Sequence, residues 1–190
     1  MRSATLHRTV VWRNLFVNGS DYCSLWENSD GWILDGTAIA VLGEGRPLIA
    51  KYEVRCDLEW STSRVTVELT IGSDVCALTL AVEPSGLWRR NGEEVSALRG
   101  LLDVDLAITP ATNTLPVRRL HLAIGQSAEV TAAWVKLPDL AIEPLHQTYT
   151  RLSSDWYRYE SATGFSAEIR VDEFGLVKTY PGGWERLAQL

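Results

Sequence analysis

The chain has 190 residues, 46% apolar and 22% charged, with a formal net charge of −6. That composition excludes a disordered chain and allows one domain, residues 1–190, whose core needs neither disulfide nor metal. A pI near 5.1 argues against nucleic acid as the main partner, because phosphate binding needs concentrated Lys and Arg. Uninterrupted apolar runs stop at about five residues, from Ala38 to Leu42, whereas a membrane-spanning helix needs about 20.

The chain starts with charge, at Arg2, Arg8 and Arg13, and no apolar stretch of the signal-peptide kind follows. The expected location is cytoplasmic. Turn signals come next at Asn18-Gly19-Ser20, Ser29-Asp30-Gly31 and Gly43-Glu44-Gly45. From residue 51 to 60 the period is two: Tyr52, Val54, Cys56, Leu58 and Trp60 on one face, Lys51, Glu53, Arg55, Asp57 and Glu59 on the other. This predicts a strand with one dry and one wet side. Val65, Val67, Leu69 and Ile71 repeat the pattern, as do Cys76, Leu78, Leu80 and Val82. Cys23, Cys56 and Cys76 have no CxxC spacing and read as small buried hydrophobes, with no metal or cofactor expected.

Asn91-Gly92 predicts a type I′ hairpin that sets Arg90 opposite Glu93, Arg89 opposite Glu94 and Trp88 opposite Val95. Residues 101–106 predict a strand with Leu102, Val104 and Leu106 on its dry face and Asp103 and Asp105 on its wet face. Two carboxylates on one face are also the best candidate acid–base pair. Arg118 and Arg119, read as strand residues, face opposite sides. The inward one needs an anion: Asp103 or Asp105, or an acidic ligand head. Gly125-Gln126 reads as a weaker hairpin, joining Leu120, Leu122 and Ile124 to Val130, Ala132 and Trp134.

Farther on, Trp156, Arg158 and Glu160 share one face and Tyr157 and Tyr159 the other, an arrangement that suits a pocket mouth or sugar stacking. Phe165, Ala167, Ile169 and Val171 form another alternating face, and Trp184 onward predicts a terminal helical turn. The chain carries eight tryptophans. Of these, Trp60, Trp88 and Trp134 are candidates for the core or for the lining of a ligand site. No nucleophile elbow, phosphate loop or zinc-protease motif occurs. The reading is mainly β: one antiparallel sheet of about ten strands with few short helices, which must fold over itself or leave an apolar concavity.

The run from Leu102 through Asp103-Val104-Asp105-Leu106, Thr109-Pro110-Ala111-Thr112-Asn113-Thr114-Leu115-Pro116 to Arg118-Arg119-Leu120 resembles the DVDLxxTPxTNTLPxRRL signature of a bacterial family of glycolipid-binding proteins. Gly86-Leu87-Trp88, Gln147-Thr148-Tyr149 and Tyr157-Arg158-Tyr159 resemble the same family. The resemblance implies a curled, unclosed half-barrel, similar to periplasmic lipoprotein carriers and mycobacterial lipid-carrying lipoproteins. Those proteins hold acyl chains on the concave face. The absence of a signal peptide and of a lipidation cysteine departs from them. The expected function is non-catalytic binding of a lipid or glycolipid, with Arg118 or Arg119 on an acidic head and Trp156, Tyr157 and Tyr159 at the mouth. Two alternatives stand beside it: a hydrolase-type or other small-molecule enzyme using Asp103 and Asp105 near Arg119, and a protein-interaction module.

Overall fold

The computed structural model describes residues 4–190; the basic start at Met1, Arg2 and Ser3 lies outside them. The strands are β1 (Thr5–Asn14), β2 (Gly19–Asn28), β3 (Gly31–Val41), β4 (Pro47–Cys56), β5 (Thr62–Ile71), β6 (Asp74–Val82), β7 (Trp88–Arg90), β8 (Glu93–Glu94), β9 (Asp103–Leu106), β10 (Ser127–Val135), β11 (Ile142–Arg151), β12 (Trp156–Ser161), β13 (Ser166–Val171), β14 (Val177–Tyr180) and β15 (Trp184–Gln189). One short helix, α1 (Thr114–Arg119), lies between β9 and β10. The fold is mainly β, and the fifteen strands of the described residues form one sheet. Fifteen strands, against an expected ten or so, include β14, four residues long, and β15, neither of which the alternation displayed.

The order is β8-β7-β6-β5-β4-β3-β2-β1-β15-β14-β13-β12-β11-β10-β9. Neighbours are antiparallel except β9 and β10, which run parallel. The sheet is therefore two meanders, β1 to β8 and β10 to β15 with β9 added in parallel beside β10, joined at its centre by β1 and β15. Its two edges, β8 and β9, are consecutive in the chain. Residues 95–102 cross the gap between them, held by Trp88 Nε1 to the Leu101 carbonyl at 3.0 Å and by Thr62 N–H to the Leu102 carbonyl at 2.8 Å.

Alternation places the core. Val54, Val65, Leu69, Leu80 and Ile169 are buried, as the dry faces predict. Asn91 and Gly92 have φ of 50° and 94°, and the register Arg89 to Glu94 and Arg90 to Glu93 is as expected. The ion pairs differ, however: Arg89 bonds Glu83 at 2.6 Å, and Glu94 bonds Arg99 at 3.2 Å.

Several expectations are corrected. β4 ends at Cys56, because the Asp57 carboxylate accepts from the N–H groups of Glu59 and Ser61 and turns the chain; Leu58 is exposed. Cys76 is exposed rather than buried. Leu120 to Ile124 forms no strand, so Gly125-Gln126 is no hairpin. Trp184 onward is strand β15, not a helical turn.

The largest correction concerns the concave face. The stretch from Leu106 to Val117 folds into it: Ala111, Thr114 and Leu115 are fully buried there. It is tied to both meanders. The Thr109 hydroxyl donates to Asp21 on β2 at 2.5 Å. The Tyr149 hydroxyl on β11 donates to Asn113 at 2.9 Å. The Thr114 hydroxyl donates to the Gly175 carbonyl at 3.2 Å. The sheet thus covers most of its apolar interior with its own chain. Among the described residues, no helix is long and apolar enough to cross a membrane.

Candidate functional site

The ends of the half-barrel differ. At one end Trp32 and Trp60 stack at 4.6 Å, His7 packs between Trp32 and Phe174, and the Arg118 guanidinium lies 5.7 Å over the Trp60 ring. Arg119 grips Asp103 with two hydrogen bonds, of 3.2 and 2.5 Å. This end is plugged.

The other end is open. An apolar cleft of about 330 Å³ lies between the β1–β2 turn, the end of β3 and the segments after β9 and β10, lined by Phe16, Val17, Ala40, Leu42, Ile108 and Leu137 among others. That volume lies at the lower end of the ~300–1,000 Å³ typical of ligand sites. Beside it is a smaller pocket of about 170 Å³. The two share Phe16, Ala107 and Trp134. Sequence explains the opening locally. Ala40 and Ala107 are small where larger side chains would fill the cleft. The Asn14 carboxamide accepts from the N–H groups of Phe16 and Val17, an Asx turn that aims Phe16 across the end of the barrel. Gly183 lets the Phe16 ring approach, since a Cβ there would lie 3.0 Å from it.

The smaller pocket is polar at its base. Asp105, Asn113, Tyr159, Ser161, Thr163 and Tyr180 line it, with Phe165 and Trp184 at its side. Asp105 Oδ2 accepts from Gln147 Nε2 at 2.6 Å. No hydrogen bond to its Oδ1 is made among the described residues. Burial raises the Asp105 pKa to about 6, against the Gln147 hydrogen bond, which lowers it. Burial also pushes the Tyr159 and Tyr180 phenols up.

Asp103 and Asp105 both point inward rather than to solvent, because β9 is covered on both faces: Val104 and Leu106 are buried too, while Leu102 is exposed. The two carboxylates have separate partners, and only Asp105 reaches the pocket. Arg119 does find an anion, and it is Asp103. Both arginines sit on α1 rather than on a strand, at the plugged end. Of the residues singled out in the sequence, Trp134, Tyr159 and Asp105 meet at the opening. Trp60 and Arg118 are at the other end, and Trp88 is buried against Leu101. Tyr157 is buried inward, with Arg151 over its ring. Trp156 faces outward beneath Arg170.

Phe16, Tyr180 and Asp21 were missed as site residues, while Tyr52 was read only as part of a dry face and Thr109 and Asn113 only as part of the signature run; Tyr52, Thr109 and Asp21 form one buried hydrogen-bonded group. Asp21 carried a usable signal, since it shares its parity in β2 with Cys23 and Leu25. A larger concavity, about 710 Å³, lies over β10, β11 and β12 and is lined by Glu129, Thr131, His146 and Glu160 among others; the Thr131 hydroxyl and His146 Nδ1 are 2.9 Å apart. Its lining mixes polar and apolar surface about equally.

A profile of the family described as "Putative glycolipid-binding" matches residues 9–186. The chain belongs to that family. Its structure is similar to the crystal structure of a DUF1089 family protein from Pseudomonas aeruginosa, with a TM-score of 0.80 and 34% identity over 88% of this chain and 92% of that one. No curated protein matched. In this member of the glycolipid-binding family the signature run from Asp103 to Arg119 is the segment that fills the concave face, and it supplies Asp105, Ala107, Thr109 and Asn113 to the opening.

Proposed function

We propose that this protein binds an amphipathic lipid, without transforming it, at the open end of the half-barrel: the tail in the apolar cleft and the head in the adjoining polar pocket. The observation that supports this reading most is the contiguity of the two spaces across Phe16, Ala107 and Trp134. Membership of the glycolipid-binding family supports it at a coarser level. The tail occupies the rim rather than the length of the concave face, because residues 106–117 fill the rest. A short buried tail binds weakly. Each methylene contributes about 0.8 kcal/mol, and a whole myristoyl chain gives an association constant of only ~10⁴ M⁻¹ on a membrane. Contacts to the head must supply the remaining affinity.

The test is titration with a pyrene-labelled long-chain alcohol, alongside native mass spectrometry of the purified protein. Saturable binding in the micromolar range is expected, abolished by Ala107→Trp, which fills the space shared by cleft and pocket from an exposed position. Absence of saturable binding by the unaltered protein, with no co-purified lipid, overturns the reading.

A further inference from the structure

We infer that the head pocket selects a single uncharged, hydroxyl-rich ring and rejects phosphate, sulfate and carboxylate heads, with the Asp105 carboxylate as the acceptor for ligand hydroxyls. The inference rests on the binding mode proposed above and narrows it. Three observations carry it. First, among the described residues Asp105 is the one charged residue lining the pocket; the other polar side chains there carry an amide, hydroxyls, phenols or indole N–H groups. Second, Asp105 Oδ2 is held by Gln147, and Oδ1 accepts nothing among the described residues, so one carboxylate oxygen is left for a ligand donor. A carboxylate accepts strongly from hydroxyls, and placing a like charge beside it is costly. Third, the cations that could compensate an anionic head are engaged elsewhere. Lys136, at the border of the apolar cleft, is bound to Glu143 at 2.6 Å and lies over Trp134. Arg119 is bound to Asp103, and Arg118 donates to the Glu173 carbonyl, both at the plugged end.

Size adds a limit. The 170 Å³ of the pocket equals about six water molecules at ≈ 30 Å³ each, which suits one sugar-sized ring and not a chain of them. Phe165, half-buried and packed on Tyr159 and Tyr180 at 6.3 and 5.7 Å by centroid, gives such a ring an apolar face to lie against.

The experiment compares three probes with the same tail, 1-octanol, octyl β-glucoside and octyl phosphate, by tryptophan fluorescence at pH 7.5, below their micelle concentrations. The glucoside is expected to bind at least tenfold more tightly than octanol, and the phosphate at least tenfold more weakly than the glucoside. Asp105→Asn should cut glucoside affinity about tenfold and erase most of the discrimination against phosphate. Octyl phosphate binding as tightly as the glucoside overturns the inference, with no variant needed. Octanol binding with no gain for the glucoside overturns it too, and leaves the tail cleft standing. If none of the three binds, the lipid-binding reading falls and this inference with it.

Discussion

At Asp21 the fold holds a carboxyl group almost out of reach of water. Its neighbours are the Tyr52 hydroxyl, 2.9 Å from Oδ2, and the Thr109 hydroxyl, which donates to the same oxygen. Burial raises its pKa to about 7, against these hydrogen bonds, which lower it. The unfolded chain loses that proton near pH 4. A folded pKa above the unfolded one means that the stabilisation is complete below about pH 4, declines through the interval to about 7 and is gone above it. Asp105 adds a decline of the same sign that ends near pH 6. The urea midpoint should therefore be lower at pH 8 than at pH 5. In Asp21→Asn, whose amide cannot ionise, that drop should shrink by an amount on the order of 3 kcal/mol. An unchanged drop would mean that Asp21 is ionised in the folded protein. This residue was legible only as a parity, a carboxylate in step with Cys23 and Leu25. The aspartates of β9 were read on the wrong side because parity assumes one wet face, and β9 has none.

Among the elements, the long strands were the easiest to read. β4, β5 and β13 each bury one face and solvate the other, so side-chain alternation carries the register. α1 was hidden for two reasons. Six residues are too few to show a helical period, and Pro116 in its first turns looks like a breaker although a proline is tolerated there. β15 was hidden by Arg186, which points inward against Asp172 and the Val177 carbonyl and so puts a charge where a hydrophobe marks a strand. β3 makes room for the Asp21 group. A Cβ on Gly36 would lie 2.3 Å from the Tyr52 ring and hydroxyl and 2.7 Å from the Tyr22 carbonyl oxygen. Gly36→Ala must displace Tyr52, and overpacking of this kind costs about 1–3 kcal/mol before any loss of the hydrogen bond to Asp21. Chemical denaturation should show a loss of at least about 2 kcal/mol; a variant within experimental error of the parent would show that the tyrosine moves freely.

The whole molecule follows from a sheet assembled as two meanders. Curling was predictable, since a long sheet with one apolar face has to cover it. What covers it was not, because the stretch from Leu106 to Val117 has no amphipathic period and is positioned by single hydrogen bonds to Asp21, Tyr149 and Gly175. The expected open trough is therefore a rim. The division also makes a test. A break between Ser96 and Ala97, both exposed, leaves β1 to β8 in one fragment and β9 to β15 in the other. Co-expressed, the fragments should purify together in equal amounts. Trp12→Ala should separate them, because that fully buried ring on β1 reaches across the junction to the Val177 carbonyl at 2.7 Å. Fragments that never associate would show that residues 95–102 must be continuous for the sheet to form.

The junction also governs how the molecule would respond to mechanical load. Thr9 and Leu190 exchange N–H···O bonds in both directions, at 3.0 and 2.9 Å, so β1 and β15 present adjacent ends to any pull applied between residues 4 and 190. Because the strands are antiparallel, tension in that direction peels their hydrogen bonds off in succession instead of shearing them all together. The half-barrel would part first at its midline, at low force, into two ribbons.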